Sequence, residues 1–402
     1  MKYIVVLMDG AADKPLEELG GRTPLQAAHK PFIDSLALQS RTGMVKTIPP
    51  GMSPGSDTAN LSVLGYDPQK YHTGRSPLEA VSMGIDLEDS DIAFRCNLVT
   101  LGGNGIYKQK KMIDHSAGEI SSQEAKELIE TIDKKLGTEH IRFYPGVSYR
   151  HLMVWRGGPE SFALTPPHDI LGKQIGPYLP KGDKARILLG LMQISSCLLE
   201  GHPVNEKRQG QEKRMANSIW IWGHGKKPEL ASFYDKYGLK GSVISAVDLI
   251  KGIGACAGLH SVEVEGATGN LDTNFRGKAE AAIEQLKEND FVFIHIEAPD
   301  ECGHQGDIKG KIKAIEEIDL KVIGPLWDSL KKSGQEHKIM VLSDHPTPIH
   351  ARTHTREPVP FLIHDSRKAD KATEAAYDEF WPKNNGLYVE EGHKLMDIFL
   401  EK

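Results

Sequence analysis

The chain has 402 residues, more than one ordinary domain needs and comfortable for two. Its 39% hydrophobic and 26% charged residues fall in the normal globular range. A formal net charge of −6 leaves no basic footprint, so neither nucleic acid nor an anionic membrane is expected as main partner, while a small anion held by local Arg and Lys stays open.

Cys96, Cys197, Cys256 and Cys302 form no CxxC pair, and four in this length make no disulfide framework. The N-terminal stretch MKYIVVLMDG runs straight into a strand pattern with no separate n-region, h-region and cleavage site, so no leader is expected. The longest apolar stretch, 187–199, is broken by Gly190, Gln193 and two serines and is too short to span a bilayer. A soluble cytoplasmic protein is expected, as a monomer or small homo-oligomer.

In chain order, 3–8 (YIVVLM) predicts a central strand that ends in Asp9, with Asp9-Gly10 readable also as a plain turn. Residues 23–40 carry helical spacing at Leu25, Ala28, Phe32, Leu36 and Ala37. The stretch 47–65, TIPPGMSPGSDTANLSVLG, passes from Pro and Gly into a helix-like run, with Ser56 and Asp57 at the junction. A serine there is either an N-cap or a nucleophile whose phosphorylated form the helix N-terminus would favour, with Asn60 near enough to help. A short helix follows at 78–84. Strands at 92–100 and 106–113 flank the hairpin signal Gly102-Gly103-Asn104-Gly105. A helix at 121–136 opens with the capping box Ser121 and Glu124, and strands follow at 141–144 and 151–155.

That strand, strand, helix, strand, strand order is an α+β module, followed by a Pro- and Gly-rich passage over 159–180. It predicts an inserted domain at 87–182 within an α/β core made of 1–86 and 183–402. The core pattern resumes with helices at 184–199, 232–237 and from 247, and strands at 218–222, 242–246 and 261–264. A helix at 274–289, a strand at 291–296 (FVFIHI), a long amphipathic helix at 308–331 and a strand at 339–342 complete it. The fold class is α/β, a mostly parallel sheet flanked by helices plus the inserted module. GIGACAG at 252–258 is only a loose GxG without the dinucleotide fingerprint.

Three apolar runs far apart in sequence end in carboxylate or imidazole. The first meets Asp9, the second leads to Asp300 and His304, and the third to Asp344 and His345, with His354 nine residues on. Parallel sheets place their sites at such strand ends. Any one His or Asp alone could be an ordinary surface or core residue; the three coincidences together point to one centre. With Ser56, the candidate ligands are Asp9, Asp300, His304, Asp344, His345 and His354. Mixed carboxylate and imidazole donors suit Mn²⁺, Zn²⁺, Co²⁺ or Mg²⁺, and the set is too large for one open catalytic ion and about right for two. Two ions clamp a transferring phosphoryl group and activate a coordinated hydroxyl, which gives Ser56 its chemistry. Cys302 falls between two proposed ligands and is read as packing around them.

The segments VVLMDG, PGSDTANLSVLGY, GRSPLEA, EAPDECGHQGD, LSDHPTPI and THTREPVPF, spread from the first strand to Phe361, resemble the alkaline phosphatase superfamily. Within it the chain is most similar to the cofactor-independent phosphoglycerate mutases of the archaeal type. The resemblance implies an alkaline-phosphatase-like core, with Asp9, Ser56, Asp344 and His345 on one metal and Asp300, His304 and His354 on the other, manganese the first expectation. It implies that the inserted domain caps the site and binds glycerate. Asp114, His115, Arg150, Arg208 and Lys251 are the candidates for gripping carboxylate and phosphate, each also readable as an ordinary charge. The implied reaction passes the phosphoryl group of 3-phosphoglycerate to Ser56 and back to the 2-hydroxyl without bisphosphoglycerate, Asp114 or His115 moving the glycerate proton. A metal-dependent phosphatase or sugar-phosphate mutase of the same superfamily would share every ligand, and a non-catalytic metal- or phosphate-binding protein would lack the nucleophile. Ser56-Asp57-Thr58-Ala59 lacks a sulfatase context, and no P-loop or kinase loop set is present.

Overall fold

The computed structural model describes residues 1–368 and 374–401 and divides the chain into two compact units. The first comprises 1–72 and 229–402, the second 73–228.

The first unit is built on an eight-stranded sheet. From one edge its strands are His260–Val262, Gly241–Ile244, Phe291–Ile296, Lys2–Met8, His337–Leu342, Val359–Asp365, Ser40–Val45 and Leu387–Val389. Val359–Asp365 is antiparallel to both neighbours, and every other pairing is parallel. Lys2–Met8 lies between two buried partners and is apolar on both faces, as a central parallel strand must be. Ile4, Val6 and Met8 pack with Ile294, Ile339 and Val341 against Ile33 and Leu36, Ala279 and Ala282, and Ile315, Ile318 and Leu326 of the covering helices. Burial on this scale, about 25 cal/mol per Å² of apolar surface, makes the sheet a rigid platform. The register pairs Met8 with Ile296 and Leu7 with Leu342, so the three central strands end level and their following residues emerge side by side.

Two predicted helices are broken, each by a proline. The span 23–40 is two helices, Pro24–Ala27 and Pro31–Ala37, because Pro31 lacks an N–H and drives Lys30 out of the helical region. The span 308–331 is Ile308–Ile318, a π-helical turn Asp319–Ile323, and Gly324–Ser333; Pro325 cannot donate to the preceding turn, and the widened turn absorbs it.

The second unit is α+β. Its long strand Ile92–Gly102 pairs antiparallel with Arg150–Trp155, Ser218–Gly225 and, past a bulge, Lys111–Asp114, and Ile141–Tyr144 extends the sheet. The second hairpin strand starts later than 106 because Tyr107–Gln109 forms a 3-10 turn. This unit reaches beyond the expected 87–182 on both sides. Helix Ser76–Ser82 buries Ala80 against Ala93, while helix Ala185–Glu200 buries Leu188 and Met192 in the same core as Trp220. The helix and strand assigned from sequence to the resumed core, Ala185–Glu200 and Ser218–Gly225, therefore belong here. Among the described residues, no single helix is long and apolar enough to cross a membrane.

Candidate metal centre and nucleophile

Each central strand of the first unit hands its chemistry to the residues just past its end. After Lys2–Met8 the chain gives Asp9 and turns at Gly10, whose φ is +62°. A Cβ at Gly10 would stand 2.5 Å from Asp300 Oδ1 and 2.6 Å from Thr347 Oγ1, so only glycine allows the approach. Phe291–Ile296 leads into helix Ala298–Gln305, and four-residue spacing puts Asp300 and His304 on one face of it. After His337–Leu342 come Asp344 and His345, and the following turn returns His354 to the cluster.

The structure brings together all seven sequence-derived candidates. Asp300 Oδ2 is 3.2 Å from His304 Nε2, Asp300 Oδ1 is 3.4 Å from His354 Nε2, and the two imidazole nitrogens face each other at 2.9 Å. His345 Nε2 lies 3.6 Å from Asp9 Oδ1, 3.4 Å from Asp344 Oδ2 and 3.3 Å from Ser56 Oγ. The His345 and His354 rings stack at 3.9 Å and join the two halves. Gly55, not Ser56, is the N-cap of helix Ser56–Val63; Ser56 is its first residue and turns its hydroxyl to His345. Asn60 donates from one amide nitrogen to both Ser56 O (2.9 Å) and Asp344 Oδ2 (3.0 Å). Asp344 Oδ1 accepts from the Gly10 and His345 amides.

A cation fits this donor set. Asp9, Asp300, Asp344 and His345 are almost fully buried. Asp9 Oδ1 has no hydrogen-bond partner, a costly state for a buried carboxylate oxygen unless an ion meets it. Burial and then the neighbouring Asp344 and Asp300 charges drive the Asp9 pKa well above the usual carboxylate range. Burial would raise Asp300 too, but the His304 and His354 rings hold it well below that range, and Asp300 in turn lifts His304 to about 9. Three close donor groups result: Asp300, His304 and His354; Asp9, His295 and Asp344; and Asp9, Asp300 and His345.

His295 escaped the sequence reading because it lies inside FVFIHI. Its Nε2 is 2.9 Å from Asp9 Oδ2 and its Nδ1 3.2 Å from Ser245 Oγ, and burial pushes its pKa down to about 3. Thr347 also went unread; its hydroxyl donates to Asp300 Oδ1.

Of the five expected substrate contacts, Asp114, His115, Arg150 and Arg208 belong to the second unit and Lys251 to the first. Asp114 accepts from the amides of Ser116 and Gly118, the Ser116 hydroxyl and Arg214. Burial would raise its pKa, but these bonds bring it down to about 2, which makes it a poor base at neutral pH. Arg208, 2% exposed, spends its guanidinium on Glu124, Ala117 O and Arg214 O. Lys251, in the first unit, pairs with both oxygens of Glu263. His115 packs edge-on to Tyr149 and His168, and exposed Arg150 lies 5.8 Å from the Tyr149 ring centre.

Residues 37–205 match the profile of 2,3-bisphosphoglycerate-independent phosphoglycerate mutases, and residues 194–395 that of type I phosphodiesterases / nucleotide pyrophosphatases. The "Probable 2,3-bisphosphoglycerate-independent phosphoglycerate mutase" of Geobacter sulfurreducens is 51% identical, with 100% of both chains aligned. The chain belongs to the 2,3-bisphosphoglycerate-independent phosphoglycerate mutase family. A second member of the family, from Methanosarcina mazei, is 50% identical, again over 100% of both chains. Among solved structures, the PH0037 protein of Pyrococcus horikoshii aligns with a TM-score of 0.83 at 31% identity, covering 100% of this chain and 96% of that one. The cofactor-independent phosphoglycerate mutase of Thermoplasma acidophilum aligns at 0.71 and 27% identity, over 100% and 99%. The likeness therefore covers the residues of both units.

Proposed function

We propose that the chain interconverts 3-phosphoglycerate and 2-phosphoglycerate through a phosphoserine at Ser56, without bisphosphoglycerate. The observation that carries this reading is the hydroxyl of Ser56, on the first residue of a helix, held 3.3 Å from His345 inside a cluster of three strand ends. Asp9, Ser56, Asp344 and His345 would hold one divalent ion and Asp300, His304 and His354 a second, manganese first and zinc, cobalt or magnesium as alternatives. Such ions lower the pKa of the Ser56 hydroxyl and draw charge from the transferring phosphoryl group.

Ser56 Oγ gives up its proton and attacks phosphorus in line, and the bond from phosphorus to the 3-oxygen of glycerate breaks, leaving phospho-Ser56 and a 3-alkoxide that takes up a proton to become the 3-hydroxyl. The first-turn amides of the Ser56 helix favour the added charge. Asn60 holds Asp344 and the Ser56 carbonyl so that the hydroxyl keeps its aim. The 2-hydroxyl of the same glycerate then gives up its proton and attacks phosphorus, the bond from phosphorus to Ser56 Oγ breaks, and Ser56 Oγ takes up a proton. The second unit supplies the glycerate grip. His115 and Arg150 are the groups for carboxylate and proton, because Asp114 and Arg208 are already committed to bonds within that unit. The enzyme works in the cytoplasm on a small soluble substrate, as a monomer or small homo-oligomer.

Rapid-quench mass spectrometry with 3-phosphoglycerate tests this directly. The expected result is an 80-dalton adduct (about the mass of HPO₃) on the Ser56 peptide, absent in Ser56→Ala, which folds and binds metal but forms no 2-phosphoglycerate. A Ser56→Ala protein that turns over at the wild-type rate contradicts the covalent route.

A further inference from the structure

Lys311 has no place in the chemistry above, yet it is one of the most buried charges in the chain. It lies on helix Ile308–Ile318, which follows directly on the helix of Asp300 and His304. Lys311 and its partner Asp13 both have fully buried side chains, with Nζ 2.7 Å from Asp13 Oδ2. The same ammonium donates to Thr347 O at 2.8 Å and to Ala12 O at 3.4 Å. Asp13 in turn accepts from the Ile349 amide with both oxygens, at 3.3 and 3.2 Å, and from the Lys14 amide at 2.8 Å.

These partners belong to two loops. Ala12 and Asp13 continue the turn that carries Asp9, and Thr347 and Ile349 continue the one that carries Asp344 and His345. The loops also touch directly, since the Thr347 amide donates to Ala12 O at 3.3 Å and Ala11 bridges Pro346. One ammonium thus ties both ligand-bearing loops to the helix stack that carries the third ligand segment.

Stability alone does not account for such a pair. Dehydrating two charges costs several kcal/mol, and well-packed apolar residues in their place are often neutral or stabilising. What an apolar pair cannot do is fix three oxygen positions around one point. We propose that Lys311 is a positioning residue for the metal centre, whose ammonium, through Asp13, sets the spacing of the Asp9 loop, the Asp344–His345 loop and the Asp300–His304 helix. This rests on the reading of the cluster as a metal site.

The test is titration of the metal-stripped full chain with Mn²⁺ alone, following free Mn²⁺ by electron paramagnetic resonance, for the wild type, Lys311→Met and Asp13→Asn. Circular dichroism and Tm of the metal-free proteins are measured alongside. A positioning role predicts folded variants whose Mn²⁺ affinity falls, by roughly 10–100-fold in Lys311→Met and by less in Asp13→Asn, which keeps an amide oxygen for the ammonium. A Lys311→Met protein with a lowered Tm and the wild-type Mn²⁺ isotherm overturns the proposal. If Lys311→Met does not fold, Asp13→Asn decides, and a wild-type isotherm there overturns it equally. A wild-type chain that binds no Mn²⁺ instead overturns the metal reading beneath it, and the two failures are distinguishable.

Discussion

His295 faces Asp9 from one side and Ser245 from the other, and so fixes which Asp9 oxygen is left free. Replacing it with Phe keeps the volume and removes the bond. His295→Phe is expected to weaken one class of metal site by roughly 10–100-fold and leave the Asp300, His304 and His354 class unchanged, as a competitive titration reads. Equal losses at both classes would contradict that assignment. Asp9, Asp300, Asp344 and His345 were legible because they follow apolar runs, His304 because it sits four residues from Asp300, His354 because it comes nine residues after His345, and Ser56 because it stands where a Pro- and Gly-rich stretch passes into a helix. His295 was hidden by its neighbours, although an imidazole within a fully apolar central strand is itself a signal, since a buried polar group needs a partner. Lys311 was not legible at all. In GKIKAIEEI it reads as one more solvent-facing lysine, and only the loops folded onto it reveal the difference.

Between elements, a carboxylate does the work of a missing cap. Helix Pro31–Ala37 has no capping side chain of its own, and buried Asp319 supplies one from the π-turn, accepting from Phe32 N (3.2 Å) and Ile33 N (2.7 Å). Asp319→Ala leaves those amides unsatisfied and is expected to cost about 1–3 kcal/mol, seen as a lower urea midpoint at unchanged slope. In the second unit, His151 is 2% exposed; its Nδ1 accepts from the Gly146 amide and its Nε2 has no partner. Burial lowers its pKa from 6.5 to about 3. The unfolded chain therefore binds the extra proton first, and stability falls as pH drops from about 6.5 towards 3, by at most about 1.4 kcal/mol per pH unit from this group. His151→Leu is expected to flatten that part of the acid-unfolding profile, and an unchanged profile would contradict the assignment. Strand identities were readable from runs of Val, Ile and Phe. The two broken helices were misread because spacing alone looks through Pro31 and Pro325, whose effect is on the backbone hydrogen bonds.

For the molecule as a whole, the sequence showed an α+β insertion in an α/β core but not its extent. Ser218–Gly225 looks like any core strand until it pairs with Ile92–Gly102, more than a hundred residues earlier, and periodicity carries no record of so distant a partner. The candidate metal centre was legible because its carboxylates Asp9 and Asp344 and its imidazole His345 come just past the ends of strands that share one register. A mutase returns the phosphoryl group to glycerate, whereas a phosphatase with the same site residues passes it to water. The deciding measurement couples 2-phosphoglycerate formation from 3-phosphoglycerate to enolase, without bisphosphoglycerate, in metal-stripped protein titrated with Mn²⁺, with free phosphate followed in the same tube. The expected result is isomer formation that appears with metal and outpaces phosphate release. Phosphate released in step with 3-phosphoglycerate consumption, with no isomer, would contradict the account.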